Sequence, residues 1–335
     1  MKWGLIGVST IASQHMISAI RAQKSHEIIS VMSSSAERGK AYAAAHSIPS
    51  STNDLDEIVG NTEIGAVYIS TTNEKHFPQA LAAISAGKHV MCEKPLAMTT
   101  EDAMAMVRAA GKAGVVLATN HHLRNAGSHL AIKEIIDSGR IGDVLSIRIF
   151  HAVLLPESLQ GWRINNAIAG GGVIPDITVH DADTVRFHLG EDPHEVVAQE
   201  LAGSLGQGVE DSAMSIWKMP SGIMIQSHDS FTHPFAGDGF EVHGTKGSIV
   251  ARGVMSQQPI GKITLKTADG DEDVPFSKHD LYVRSMGLFD AALRGEGQPS
   301  ATGIDGVKSL AVAEAVKQAA VSGQRTIVNY QGCEP

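Results

Sequence analysis

The chain has little that would staple it, anchor it or draw it to a polyanion. It holds two cysteines in 335 residues, Cys92 and Cys333. Two thiols cannot build a disulfide framework or a four-cysteine zinc site, so a reducing compartment is expected. No stretch approaches the roughly eighteen consecutive apolar residues that a spanning helix needs. The amino terminus enters an apolar strand pattern with no basic leader ahead of it, so an unexported, cytoplasmic protein is expected. Lysine and arginine nowhere cluster and the net charge is −9, which argues against nucleic acid and against an anionic membrane surface as partners. Aromatics are scarce as well, at 4% against 43% hydrophobic residues, so Ala, Val, Ile and Leu must fill most of the core. H-E-x-x-H and C-x-x-C are missing despite 16 histidines, and no metal site is expected.

What is present is organised around Met91-Cys92-Glu93-Lys94-Pro95-Leu96, which closes an apolar run at residues 89–92. Proline fixes its own φ and restricts the residue before it, so Lys94 sits on a stiff hinge at a strand's carboxyl end. Ligands of open α/β sheets lie outside those ends. A lone Lys-Pro is otherwise an ordinary solvated turn, and the weight of this one comes from its surroundings.

The length supports two domains. In the first, residues 3–7 read as a buried strand that meets Gly7-Val8-Ser9-Thr10-Ile11-Ala12 at the start of a helix. This is the dinucleotide fingerprint G-x-G-x-x-G/A with serine at its middle position. Gly7 makes the tight turn, Ala12 lets helix and strand pack closely, and the Ser9 hydroxyl could donate to a pyrophosphate. The second strand, 27–32, ends in Ser33-Ser34-Ser35-Ala36-Glu37-Arg38. A free ribose 2′-hydroxyl calls for an acid at this strand end, and none is there. Hydroxyls and a guanidinium suit a 2′-phosphate, so Ser33, Ser34 and Arg38 predict NADP(H). The plainer account is that the serines cap the next helix and Arg38 is solvated. Strands at 66–70, 89–92 and 115–119 alternate with helices, which implies a parallel, doubly wound sheet. Their carboxyl ends add Thr71, Thr72, Asn73, His76, Glu93 and Asn120 to the cofactor candidates.

After residue 120 the pattern changes to longer, more polar strands at 144–154, 195–201, 211–219, 223–231, 240–244, 248–254 and 262–266. Short turns between several of them indicate antiparallel pairing. The expected domains are therefore 1–120, a Rossmann α/β domain, and 121–335, an α+β domain with an open, mostly antiparallel sheet. Helices at 281–294 and 305–322 follow, the last packing back near the first domain. Within this half, Gly170-Gly171-Gly172 leads through Pro175 into a helix on which Asp176 and His180, four apart, share a face. Histidine suits acid–base work at neutral pH and a nearby carboxylate supports its charged form. Asp183 could also orient the ring. An ordinary helix pair is the alternative account.

Glu93-Lys94-Pro95 after a Rossmann-type strand, together with the glycine turn and D-x-x-x-H, resembles the glucose-fructose oxidoreductase / inositol dehydrogenase (Gfo/Idh/MocA) family over essentially the whole chain. Longer strings are similar to one branch of it. These are Ser9-Thr10-Ile11-Ala12, Ser70-Thr71-Thr72-Asn73-Glu74, Asn120-His121-His122-Leu123-Arg124-Asn125, Leu159-Gln160-Gly161-Trp162-Arg163 and Gly297-Gln298-Pro299-Ser300-Ala301-Thr302-Gly303. The resemblance implies reduction of a small sugar ketone, 1,5-anhydro-D-fructose, to 1,5-anhydro-D-mannitol with NADPH. Hydride arriving at a carbonyl carbon leaves charge on oxygen, which needs a cation or a proton donor. His180 is expected as proton donor and Lys94 as polarising donor at the nicotinamide end, although the two could exchange roles. Asp176 is expected to accept a substrate hydroxyl and partner His180. Trp162 and Arg163 would wall the sugar close to the cofactor. Tyr282 is a further sugar contact or, equally, a core aromatic. A related sugar or polyol dehydrogenase, or a non-catalytic NADP(H) sensor, is the alternative, and a monomer or homodimer is expected.

Overall fold

The computed structural model describes residues 1–330, 332 and 333. The chain divides into two compact units, Met1–His121 with Tyr282–Val307, and His122–Leu281 with the residues from Lys308 onward. The division expected at residue 120 leaves Tyr282–Val307 in the second domain, whereas its contacts put it in the first unit. The reason lies in side chains far apart in sequence. Trp3 packs on Phe289 with ring centroids 5.5 Å apart. His26, which accepts from the Trp3 indole, also faces Asp290 at 2.9 Å. The Thr119 amide donates to Ala301 O.

In the first unit the elements alternate: β1 (Lys2–Ile6), α1 (Ile17–Arg21), β2 (Glu27–Met32), α2 (Ala36–Ala45), β3 (Ser50–Thr52), α3 (Leu55–Val59), β4 (Ala66–Ile69), α4 (His76–Ser85), β5 (His89–Cys92), α5 (Thr100–Ala113) and β6 (Leu117–Thr119). The six strands are parallel in the order β3-β2-β1-β4-β5-β6. Strand order reverses between β1 and β4, the switch point where such sheets open a crevice at their carboxyl ends. Both faces of the sheet are covered, so most strand residues are buried and, β3 apart, mostly apolar. α5 shows the local logic at both ends. The Thr99 hydroxyl accepts from the Asp102 amide, and Gly114 stops the helix in the left-handed region at φ 67°. β3 and α3 are not predicted by the apolar pattern, since Ser50-Ser51-Thr52 has none.

The second unit contains α6 (Gly127–Asp137), β7 (Val144–Leu154), α7 (Trp162–Asn165), α8 (Val179–Leu189) and strands β8 (Glu195–Leu201), β9 (Ser212–Lys218), β10 (Met224–Ser230), β11 (Thr232–Gly244), β12 (Gly247–Arg252), β13 (Lys262–Thr267) and β14 (Gly270–Asp273). α9 (Leu281–Leu293), α10 (Gly303–Ser322) and β15 (Thr326–Ile327) complete the chain. The nine-stranded sheet runs β14-β13-β12-β11-β7-β10-β9-β8-β15. Every pair is antiparallel except β7–β10. Alternate residues Ile147 and Ile149 of β7, Ile225 and Ser227 of β10, and Phe240 and Val242 of β11 line one buried face. That face packs on Val179, Ala182 and Val185 of α8 and on Ala311 to Ala319 of α10. No helix among the described residues is long and apolar enough to cross a membrane.

Candidate functional site

In the first unit the candidate residues gather at the carboxyl ends of β1, β2, β4, β5 and β6. Gly7 has φ 113°, and a Cβ there would lie 2.9 Å from the Ser70 carbonyl, so no other residue fits the turn after β1. The Ser9 hydroxyl donates to Ser70 Oγ at 2.7 Å and accepts from the Ala12 amide at 3.1 Å. It was expected to donate to a pyrophosphate; it ties the first helix to the end of β4. That helix opens with a π-helical turn, Ala12–Met16, with Thr10 exposed and Ile11 half-buried just before it.

At the end of β2, Ser33 is buried and accepts from the Ser35 amide, while Ser35 caps α2 by accepting from the Arg38 amide. Capping thus falls to Ser35, and Ser34 and Arg38 stay exposed. In the loop after β4, the Thr71 hydroxyl donates to Gln79 and the Thr72 hydroxyl to Glu74, with Asn73 buried between. His76, expected at the cofactor, is fully buried with Nδ1 2.8 Å from Pro95 O and Nε2 3.2 Å from Thr71 O. A neutral imidazole has one N–H, which the shorter bond assigns to Nδ1. Burial holds the ring's pKa below the usual histidine range, and its place is a clamp between two loops.

Lys94 follows β5, half-buried, and its peptide bond to Pro95 is cis. Beside it, Glu93 Oε1 accepts from the Tyr68 hydroxyl at 2.5 Å and from Asn120 Nδ2 at 2.6 Å. One carboxylate therefore ties the ends of β4, β5 and β6 together. Desolvation pushes the Glu93 carboxyl up, and its two donors with the Lys94 charge pull it back. Asn120 Oδ1 is buried with no hydrogen-bond partner among the described residues. An orphaned acceptor at the end of β6 and a turn after β1 that no side chain can enter fit a nicotinamide dinucleotide, which brings amide N–H donors and a pyrophosphate. Tyr282 is 1% exposed and stacks on His15 with centroids 4.5 Å apart. This is a core position, because its ring is enclosed within the first unit.

In the second unit the glycine turn is as constrained as Gly7. Gly172 has φ 119°, and a Cβ on it would lie 2.3 Å from the Glu210 carboxylate. The Val173 amide donates to Glu210 O and the Ile174 amide to Glu210 Oε1, so Glu210 receives the start of the helix. The helix begins with a π-helical turn, Ile174–Thr178, and continues as α8. Asp176 and His180 are both nearly buried. Asp176 pairs with Arg163 at 3.4 Å, and the Arg163 guanidinium lies 4.7 Å over the Trp162 ring. The His180 ring meets His122 edge-on at 4.9 Å. Asp183, which by spacing could orient the His180 ring, receives two bonds of 2.7 Å from Arg124. Arg124, Tyr68 and Glu210 escape the sequence reading: Arg124 and Asp183 stand 59 residues apart, and no spacing rule joins them. Their only signals are polar side chains beside His122, inside β4 and before β9. Among the described residues no group of three or more His, Cys, Asp or Glu side chains is arranged to hold a metal ion.

Residues 1–121 match the Gfo/Idh/MocA oxidoreductase family with its NAD-binding Rossmann fold, and residues 129–250 match the Gfo/Idh/MocA C-terminal domain. The chain is 55% identical over 324 residues to a 1,5-anhydro-D-fructose reductase of Ensifer adhaerens, covering 96% of this chain and 97% of that protein. Among solved structures it is similar to an aldose-aldose oxidoreductase from Caulobacter crescentus complexed with glycerol, with TM-score 0.89, 26% identity and coverage of 98% and 99%. It shares its fold with an oxidoreductase from Agrobacterium radiobacter in complex with NAD+, L-tartaric acid and magnesium, with TM-score 0.87, 22% identity and coverage of 98% of both chains. The parallel six-stranded sheet with its glycine turn, the open sheet with its D-x-x-x-H helix, and these matches place the chain in the Gfo/Idh/MocA family of nicotinamide-dependent oxidoreductases.

Proposed function

We propose that this protein reduces the ketone of 1,5-anhydro-D-fructose to the alcohol of 1,5-anhydro-D-mannitol, with NADPH as reductant. The observation that carries the substrate is 55% identity across 96% of the chain to a reductase of that sugar. A nicotinamide cofactor supplies the hydride when bound. Gly7, Ser9 to Ala12, Thr71 to Asn73, Glu93 and Asn120 are the residues that would hold it. Exposed Ser34 and Arg38 at the end of β2, where an acid would serve NAD(H), support the 2′-phosphorylated form.

At the substrate the work belongs to the chain's own groups. His180 gives a proton to the carbonyl oxygen as charge develops there, and Lys94 polarises that oxygen. Arg163 holds Asp176 as a carboxylate, which accepts from a sugar hydroxyl. The Trp162 face covers the C–H side of the ring while the guanidinium stacked on it offers donors to further hydroxyls. NADPH oxidation with 1,5-anhydro-D-fructose, followed by the configuration of the product alcohol, tests the reading. Turnover giving the manno product is expected, and absence of turnover, or the gluco epimer, overturns it. Arg38→Glu should lower kcat/KM for NADPH by about tenfold and spare NADH, the size of one lost charge-assisted contact.

A further inference from the structure

Two carboxyl groups in the second unit lie outside the site just described. Asp181, directly after His180 on α8, is 0% exposed, and Asp229 on β10 is 1% exposed. Their surroundings are short of protons. Asp229 Oδ2 accepts from the Thr178 hydroxyl at 2.5 Å and from the Ser227 hydroxyl at 3.2 Å. Asp229 Oδ1 and both oxygens of Asp181 are buried with no hydrogen bond within 3.5 Å among the described residues, and the Ser227 hydroxyl, which Asp229 already receives, is the donor that lies near Asp181. Other charged or titratable groups face the pair from the neighbouring strands. His151 of β7 is the register partner of Asp229 and also of Asp238 on β11. Asp238 adds negative charge toward Asp181 and has its own donor, the Met255 amide at 2.7 Å. From the segment before α6, His122 meets His180 and Arg124 is taken by Asp183.

We propose that Asp181 is a carboxylic acid that shares one proton with Asp229, and that this bond fixes α8 on the sheet and so positions His180. One proton between the two groups turns unbonded oxygens into a donor and an acceptor. Two buried anions in contact would instead repel in a medium that screens poorly. Burial first, and the neighbouring carboxylate second, push Asp181 well above the carboxylate range, and burial raises Asp229 also. Thr178 and Asp181 hold the helix to β10 on one side, while Asp176 and His180 belong to the proposed chemistry. Rotation of the helix about its axis would move the imidazole, and displacements near 1 Å cost on the order of a hundredfold in rate. Asp181 is thus a positioning residue. Its kinetic consequence rests on the role given to His180, whereas its protonation does not.

Infrared difference spectra of the full-length protein, wild type minus Asp181→Asn, at neutral pH test the proton. A carboxylic-acid C=O stretch that shifts in D2O and is missing from the variant is expected. Loss of a carboxylate band alone overturns the proposal. Kinetics test the positioning. Asp181→Asn keeps a neutral donor and should retain kcat within about twofold, whereas Asp181→Ala should lower kcat at least about tenfold with the KM for NADPH unchanged. Wild-type kcat in Asp181→Ala, even with a lowered melting temperature, overturns the positioning role, as does an Asn variant as slow as Ala. If Asp181→Ala does not fold, the spectrum and the Asn variant still decide. A wild-type protein inert toward 1,5-anhydro-D-fructose would sink the substrate reading and leave the infrared result standing.

Discussion

Glu93 in the first unit and Asp181 in the second each stand next in sequence to a residue assigned to the carbonyl oxygen, and their neighbours treat them differently. Glu93 receives two fixed donors from adjacent strands, Tyr68 and Asn120, and has the Lys94 charge beside it. Asp181 has no hydrogen bond within 3.5 Å among the described residues, only the shared Ser227 hydroxyl nearby, and faces another carboxyl. The same contrast extends to imidazoles. In the first unit His76 Nδ1 donates to the Pro95 carbonyl. In the second, His129 Nε2 donates to Val254 O, so His129 Nδ1 accepts from His188 Nε2 at 3.0 Å, and His188 Nδ1 has no partner among the described residues. The lesson is that burial alone does not set a group's charge. The supply of donors does, and Asp181 with Asp229 and His129 with His188 rely on shared protons where Glu93 and His76 rely on fixed ones.

That contrast can be broken in order of effect. His180→Ala and Lys94→Ala should each reduce kcat by about a hundredfold or more, with near-native circular dichroism. Near-wild-type turnover in both would dispose of the assigned roles. Acid comes second. Burial holds His129 down at about 4, against about 6.5 for an unfolded histidine, and depresses His188 as well. Above pH 6.5 neither the folded nor the unfolded state is protonated at these rings and nothing is lost. As pH falls from there toward 4 the unfolded state takes up protons that the folded core refuses. His129 alone then removes about 3 kcal/mol of stability. Hydrogen exchange across that range should show protection lost first in α6, α8 and β11, and equal loss in β1, β4 and β5 would contradict the contrast. The smallest effect is Glu93→Gln. An amide oxygen still accepts from Tyr68 and Asn120, so kcat/KM should stay within about threefold of wild type; a drop as large as that of Lys94→Ala would give Glu93 a chemical role instead.

Fold and site were not equally legible. The doubly wound sheet could be read because five of its six strands are mostly apolar runs closed by Gly7, Ser33, Thr71, Lys94 and Asn120, each at a strand end, β3 being the polar exception. The antiparallel sheet showed through its turns, although the first half of β11 did not. Pro234, Gly237 and Gly239 break its alternation, and its register to β7 shifts between Thr232 and Gly237. The glycine turn is followed, as expected, by a helix that carries D-x-x-x-H. Partners proved harder. Spacing suggested Asp183 for the His180 ring but gave no sign of the two Arg124 bonds it receives from another part of the chain. Tyr282 could be read equally as a sugar contact or a core aromatic, and it lies stacked on His15 in the core. Hydrogen-bond partners are settled by tertiary register, which local periodicity does not encode.

Because Tyr282–Val307 belongs with Met1–His121, neither unit is one unbroken length of polypeptide. During synthesis the Rossmann sheet therefore waits: Trp3 and His26 leave the ribosome long before Phe289 and Asp290, which complete their surroundings. A fragment ending near residue 120 would carry all six parallel strands and still present the Trp3 flank bare to water, prone to association with its own kind.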